Sequence, residues 1–360
     1  MNEQEITFVI MDRNEVTISY YSEEDKEEYN DFLLNNNSNI YHTLEWKDAL
    51  KSCHNFTPLY PIARDHKRDI CAVLPLFYIE NLLGKRLDSL PLSTCGGMVG
   101  NKKYVKPLIK ELLKLRQDLK CSSIVIRQYP SEYGDSYEDF GMRKHENWWN
   151  QCLAIKDPEV LWNEIEKANR NSIRNAMRNN IEVERITEEK DLAEFHRLEL
   201  VTGKRHGVYA PPLHFFKKLW GIMHPKGQAE VFLARHNGRA IASNLIFMFK
   251  DRVIYGYANS ETKEMKLKPN NLLLWEIINW SYAKGYKILD MGGTPKDNKG
   301  LFSFKSSFNT LNVSYAHYYF PADTVLIQNT FAGKFGKFLF QKMPTSLSKK
   351  VGPFVINKFA

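Results

Sequence analysis

Hydrophobic and polar positions switch between a helical and an alternating period along this chain, and the switches mark its elements. Glu23 to Asn35 has a helical pattern, with Ser22 placed to cap an acidic first turn. Thr43 is placed to cap a second helix running through Trp46 to Ser52. Phe56 to Ala63 and Ile70 to Tyr78 read as strands around the polar turn Arg64 to Asp69. A loop, Ser93-Thr94-Cys95-Gly96-Gly97, leads to an amphipathic helix from Val105 to Leu119 and a buried strand, Ser123 to Arg127. Glu159 to Asn180 is a polar helical stretch rich in Asn and Arg. Beyond it, Glu230 to Arg235, Ala240 to Phe249 and Val253 to Ala258 predict three consecutive strands, the first turn carrying the hairpin signal Asn237-Gly238. A long helix from Pro269 to Lys284, a strand from Tyr286 to Met291 and a turn at Gly292-Gly293 complete the pattern.

Antiparallel strands, a helix and one more strand thus occur twice, which predicts an α/β (α+β) chain of two similar domains. The 360 residues exceed what a single core usually organises. The expected divisions are 1–155, 156–323 and a basic helical tail, 324–360. That tail holds six lysines and no acidic residue, with Phe331, Phe335, Phe338 and Phe340 among them.

Composition narrows the classes. Hydrophobic residues at 43% and charged residues at 26% describe a globular protein. The acidic start, with Glu3, Glu5, Asp12 and Glu15 around a short apolar run, does not resemble a secretory signal. No apolar run approaches the roughly 20 residues that cross a bilayer, so the expected compartment is the cytoplasm. Cys53, Cys71, Cys95, Cys121 and Cys152 form no CxxC pair and no zinc-finger spacing; buried reduced thiols and no bound metal are expected. The net charge of +8 suits an anionic partner such as RNA, a nucleotide, coenzyme A or a lipid headgroup, without choosing among them.

The stretch Tyr255 to Phe308 is the most informative. It runs from a strand, GYANS, through the helix KPNNLLLWEIINWSYAKGY and a strand ending ILDMGGT to the loop GLFSFKSSF. This order resembles the C-terminal module of Fem-like transferases, which build peptidoglycan cross-bridges, and of their GNAT acyltransferase relatives. The resemblance extends to Thr202-Gly203-Lys204-Arg205-His206-Gly207 and Asn171-Ser172-Ile173-Arg174-Asn175-Ala176. It is looser at Tyr41-His42-Thr43-Leu44-Glu45-Trp46 and at Cys95-Gly96-Gly97. It implies two tandem GNAT-like domains, each a mixed, mainly antiparallel sheet flanked by helices, with a C-terminal helix packing back on the first. It also implies transfer of an acyl or aminoacyl group to an amine by direct attack, with no covalent enzyme intermediate.

Acyl transfer needs a neutral amine, two substrates held together and donors for the oxyanion. The resemblance makes Lys305 the cation that meets the acyl donor, with Phe304 beside it. It makes Arg205 and Thr202 acceptor-binding residues, an arginine fork suiting phosphate. Trp46 and Lys51 join the substrate set on the same ground. The start of the Pro269 helix, with Lys268, Asn270 and Asn271, is a candidate anion site for the donor, or an ordinary helix opening with Pro. Asp290 at a strand end can act as a base, orient substrate, or simply tie down Gly292-Gly293; the two glycines allow close backbone approach to a ligand or just a tight turn. Arg170, Arg174 and Arg178 share one helix face, either as a phosphate-tracking stripe or as a solvated surface.

The match departs from the cross-bridge enzymes in two places. Gln128-Tyr129-Pro130 follows the first domain's last strand where those enzymes have an acidic residue, and Leu50 stands where a lysine is expected. Aminoacyl-tRNA and acyl-coenzyme A therefore both remain as donor, with no permanently bound cofactor. The expected acceptor is the amine of a cell-wall or cell-surface precursor, an anionic small molecule or a sugar nucleotide. tRNA is an expected partner, DNA is not, and the lysine tail offers peripheral membrane contact as an alternative to docking on the first domain. A non-catalytic RNA- or membrane-associated protein is the competing class.

Overall fold

In the computed structural model the described residues are 16–324, apart from 55, 83, 129–132, 209 and 314, together with 341–342. The acidic start and nearly all of the basic tail, with the packing expected of that tail, lie outside the described residues. The chain divides into two compact units, Met1–Asn147 with Ser314–Thr324, and Trp148–Val313 with Val325–Ala360.

The first unit contains β1 (Thr17–Tyr20), α1 (Lys26–Asn35), α2 (Leu44–Cys53), β2 (Phe56–Leu59), β3 (Pro61–Arg64), β4 (Ile70–Val73), β5 (Leu76–Asn81), β6 (Gly84–Asp88), β7 (Val99–Gly100), α3 (Val105–Asp118), β8 (Ser123–Gln128), α4 (Gly134–Asp139) and β9 (Arg143–His145). They build a four-stranded sheet, β1-β3-β4-β7, and a six-stranded one, β2-β5-β6-β8, then Ala316–Phe320, then β9. The helix starts follow the sequence: Ser22 closes a capping box with Asp25, and the Thr43 hydroxyl accepts from the Trp46 amide. The two long strands expected here are each split between the sheets. Phe56 to Ala63 breaks at Tyr60, just before Pro61, and Ile70 to Tyr78 breaks at Leu74-Pro75. Proline cannot donate to a ladder, so each proline marks the change of sheet. The buried face of α3, Val105, Leu108, Ile109 and Leu112, packs with Ile124, Ile126 and Tyr318.

The second unit holds β10 (Trp148–Ala154), α5 (Pro158–Glu164), α6 (Lys167–Arg178), β11 (Glu182–Arg185), α7 (Leu192–His206), α8 (Leu213–Met223), β12 (Ala229–His236), β13 (Arg239–Phe249), β14 (Arg252–Ser260), α9 (Pro269–Ala283), β15 (Ile288–Pro295), α10 (Lys299–Ser306) and β16 (Leu311–Val313); β17 (Ala316–Phe320) returns to the first. Its sheet order is β11-β12-β13-β14-β15-β10-β16, antiparallel except for the β14–β15 pair. The apolar α9 buries Leu273, Leu274, Ile277 and Ile278 against Ala242, Ile246 and Met248 of β13. Ser243, Leu245 and Phe247 alternate to the opposite face, where Phe216 of α8 meets Tyr257 of β14 edge-on.

Three expectations are corrected. The division falls at Trp148 rather than after residue 155, because β10 pairs with β15 and β16, and residues 314–324 belong to the first unit because β17 lies between β8 and β9. The polar stretch from Glu159 to Asn180 is two helices, α5 and α6. Gly292-Gly293 is part of strand β15 rather than a turn beyond it. Among the described residues no helix is long and apolar enough to cross a membrane.

Gln128 shows what one buried polar group does for the first unit. Its Oε1 accepts from the Met98 amide at 2.9 Å and the Tyr137 hydroxyl at 2.7 Å, and its Nε2 donates to the Met98 carbonyl at 3.1 Å. The Gly96-Gly97 loop is thereby fastened to the end of β8. Gln128→Ala orphans these buried groups and is expected to cost about 2 kcal/mol, read as a lower urea midpoint at unchanged m.

Candidate active site

The parallel pairing of β14 with β15 covers only Arg252 to Ile254 against Ile288 to Asp290. Beyond it β14 continues along β13 to Ser260, and β15 continues along β10 to Pro295, so the two strands part into a wedge. An irregularity sits on each arm at the parting point. On β14 the register slips between Leu245 and Ile246, leaving Gly256 as the extra residue. On β15 it slips between Asn150 and Cys152, and Gly292 adopts φ 70°. Bulges bend the strand that carries them, which turns both arms away from their shared edge. Gly256 has no substitute, since a Cβ there would lie 2.8 Å from the Leu245 carbonyl oxygen and 2.7 Å from the Phe247 ring.

Asp290 lies buried at the base of the wedge. Its Oδ1 accepts from the Gly292 amide at 2.9 Å and Asn150 Nδ2 at 3.2 Å, while Oδ2 faces Arg252 Nη1 at 3.4 Å. Lys305 reaches the same bulge from α10, a helix capped by the Asn298 side chain on the Leu301 amide. Its Nζ donates to the Gly292 carbonyl at 2.9 Å and the Gly293 carbonyl at 3.3 Å. Burial pulls the Lys305 ammonium down to about 8, against the opposing pull of Asp290. Gln151 positions α10 from β10, its Nε2 donating to Ser306 Oγ at 3.0 Å and Thr310 Oγ1 at 3.2 Å. Lys305, Asp290, Gly292 and Gly293 are therefore one cluster.

The other candidates fall elsewhere. Thr202 Oγ1 accepts from the Ser260 amide at 3.0 Å, and Arg205 donates to the Ser260 carbonyl at 3.1 Å, Ser260 Oγ at 3.3 Å and Thr262 Oγ1 at 3.3 Å. Both residues fasten the end of α7 to the end of the β14 arm. Lys268, in left-handed conformation and exposed, precedes α9. Asn270 is half-buried in the first turn of α9, and Asn271 donates to Asn169 Oδ1 at 2.9 Å, tying α9 to α6. Phe304 lies at the core edge against Phe308. The arginine face is not a uniform stripe: Arg170 donates to the Trp162, Asn163 and Ile165 carbonyls, whereas exposed Arg174 lies over the Trp162 ring at 5.3 Å. Trp46 is buried in the first unit against Tyr41, and Lys51 is exposed on the same helix. Among the described residues no cluster of three or more His, Cys, Asp or Glu could hold a metal, and none of the five cysteines is in a disulfide.

Sequence reasoning missed Asn150, Gln151, Arg252 and Gly256. The polar pair Asn150-Gln151 inside the aromatic strand WWNQCLA was the available signal, because a buried strand spends polar residues only where they have partners.

Comparisons with known proteins agree with this geometry. A model of the acetyltransferase (GNAT) domain matches residues 167–306. The lipid II:glycine glycyltransferase of Staphylococcus haemolyticus is 25% identical over 123 residues, 32% of this chain and 29% of that protein. The enzyme of the same name from Staphylococcus saprophyticus is 30% identical over 90 residues, 25% of this chain and 21% of its own. This chain thus aligns with less than a third of the length of either relative. The crystal structure of FemX covers 90% of this chain and 99% of its own, at a TM-score of 0.65 and 14% identity. Residues 167–306 thus match a GNAT domain, and the chain shares the fold of FemX. A tandem GNAT protein from the clavulanic acid biosynthesis pathway, with TM-score 0.57, 10% identity and coverage of 87% and 100%, shares the fold of two GNAT-like domains.

Two measurements check this site. Gly256→Ala should lower stability by about 1–3 kcal/mol, because the added methyl meets backbone, read as a fall in Tm. For Lys305 the folded value lies below the ordinary 10.5, so the folded state loses its proton first as pH rises. The stability of the native chain relative to Lys305→Met should therefore rise between about pH 8 and 10.5 and stay flat below that window, measured by urea unfolding at several pH values.

Proposed function

We propose that this chain is a Fem-like acyltransferase that moves an acyl or aminoacyl group onto an amine of a cell-wall precursor in the cytoplasm. The observation that carries the reading is the wedge between β14 and β15, with a buried ammonium held at its base. A donor carbonyl entering the wedge meets the inner edge of β14 on one side and the Lys305 end of α10 on the other. The acceptor amine attacks that carbonyl directly. Negative charge develops on the carbonyl oxygen or the departing group, and Lys305 neutralises it in a site where burial strengthens electrostatic contacts. Two of its three ammonium hydrogens are directed by the Gly292 and Gly293 carbonyls, which leaves one for the reacting group.

Asp290 is engaged by three donors, so its role in this reading is positional: it holds the Gly292 amide and Arg252 and keeps Lys305 charged. Arg205 and Thr202 act likewise, by setting the α7 helix against β14. The donor is an aminoacyl ester on tRNA, a reading supported by the partial likeness to glycyltransferases of lipid II. A second reading, an acyl-coenzyme A thioester, is favoured by the GNAT domain match.

Thermal stability of the purified chain against acyl-coenzyme A species, charged and uncharged tRNA, and sugar-nucleotide precursors separates these donors. A ligand at 100 times its Kd adds about 2.7 kcal/mol, a visible rise in Tm, and the class that produces it is the donor or acceptor class. With that donor, Lys305→Met is expected to lower kcat by about 10²–10³-fold while the chain stays folded. Unchanged kcat in a folded Lys305→Met chain would overturn the role given to the lysine.

A further inference from the structure

The reaction just proposed leaves one proton without a recipient, because the acceptor amine arrives as an ammonium and Asp290 is fully engaged. On the face of the sheet that carries α7 and α8 stands another carboxylate. Thr202 and Arg205 lock the last turns of α7 to Ser260, and Glu199, four residues from buried Phe195 and from buried Gly203, shares their face of α7; Tyr257 and Asn259 of β14 are its electrostatic neighbours. Both partners lie on the arm of β14 beyond the Gly256 bulge, where the strand has left β15. Ser243 is the register partner of Asn259 and shares its face. Ser243 Oγ and Asn259 Nδ2 are fully buried with no hydrogen bond of good geometry among the described residues; the Asn259 amide leans toward Glu199 without closing one. Buried polar atoms left so are costly and call for a polar ligand. Phe216 and Phe247 wall the site through Tyr257, at ring separations of 5.1 and 6.5 Å, and aromatic faces suit a cation.

We infer that the Glu199 carboxylate, with Tyr257, Asn259 and Ser243, receives the ammonium of the acceptor and takes its proton. The inference rests on the transferase reading and completes it. One proton passes from the ammonium to Glu199, and the neutral nitrogen then attacks the donor carbonyl carbon. The N–C bond forms, the bond from carbon to the leaving oxygen or sulfur breaks, and the second N–H proton ends on that leaving atom. Glu199 afterwards releases its proton to water.

Burial pushes Glu199 up to about 7, with the Asn259 amide drawing it back, so it exchanges a proton near neutrality. The charged groups on the elements around it are turned to other partners: Glu194 to Arg235, Arg197 and Arg239 to Glu261, Lys217 to Glu189, Arg252 to Asp290 and Arg205 to Ser260. His214 and Lys218 of α8 are exposed, and His196 of α7 contacts the Pro211 carbonyl. Tyr257, itself raised by burial and by Glu199, stays protonated throughout.

The test uses the full chain labelled with ¹³C at glutamate carboxyls and titrated by NMR. The Glu199 signal is the one missing from Glu199→Gln, or from Glu199→Asp should the first variant fail to fold by circular dichroism. Alone, Glu199 should titrate near 7. L-alaninamide, an ammonium probe, should lower that midpoint by about one unit through ion pairing. L-lactamide, with a hydroxyl in place of the amine, should leave it unmoved. An ordinary carboxylate midpoint, or equal response to both probes, overturns the proposal. Should the amine response hold while no donor gives transfer, the amine site stands and the transferase reading falls. Should transfer occur with an unchanged pH profile in folded Glu199→Gln, the reverse holds.

Discussion

Everything distinctive in the second unit depends on the short life of one parallel strand pair. β14 and β15 are each bonded along their outer edges to long antiparallel partners, β13 and β10, yet share only three register pairs with each other. A parallel pair is slightly less stable per residue than an antiparallel one, so outer-edge bonding can hold two diverging strands in one sheet. The divergence is fixed by two irregularities that only glycine allows, the extra residue at Gly256 and the left-handed Gly292. The first lacks room for a Cβ, and the second has a φ that side chains rarely adopt.

The Gly292 bulge also explains how a lysine can be buried. Bending β15 turns the Gly292 and Gly293 carbonyls toward α10, where they receive the Lys305 ammonium, and turns the Gly292 amide toward Asp290. A buried charge is tolerable only with an opposite charge and hydrogen bonds about it; the Asp290 carboxylate supplies the first and the two glycine carbonyls the second. Asn150 and Gln151, adjacent on β10, point to opposite faces and brace Asp290 and α10 respectively. The α7 side of the sheet is built differently. There the buried Ser243 and the Asn259 amide are incompletely matched, and among the described residues no cation pairs with the half-buried carboxylate.

Local pattern determined most of the elements. Ser22 and Thr43 fixed helix starts, Pro269 opened α9, Asn237-Gly238 joined β12 to β13, and the apolar runs of β12 to β15 marked buried strands. The residues Tyr255 to Phe308 also carried enough order to point to the Fem-like GNAT fold and to Lys305. What failed was long-range. Pro61 and Pro75 are legible as breaks, but which sheet each fragment joins depends on partners far away in sequence. The return of β17 to the first unit and the capture of β10 by the second are likewise choices of pairing, which no local period encodes. The same holds for the site. Sequence identified Asp290 and Arg205 as chemical groups, but whether a charged group is spent on its neighbours or left for a ligand is decided by tertiary hydrogen bonds. Those bonds commit Asp290 and Arg205 to the scaffold, set Lys305 against two glycine carbonyls, and place Glu199, unremarkable in its helix, beside the parted strand.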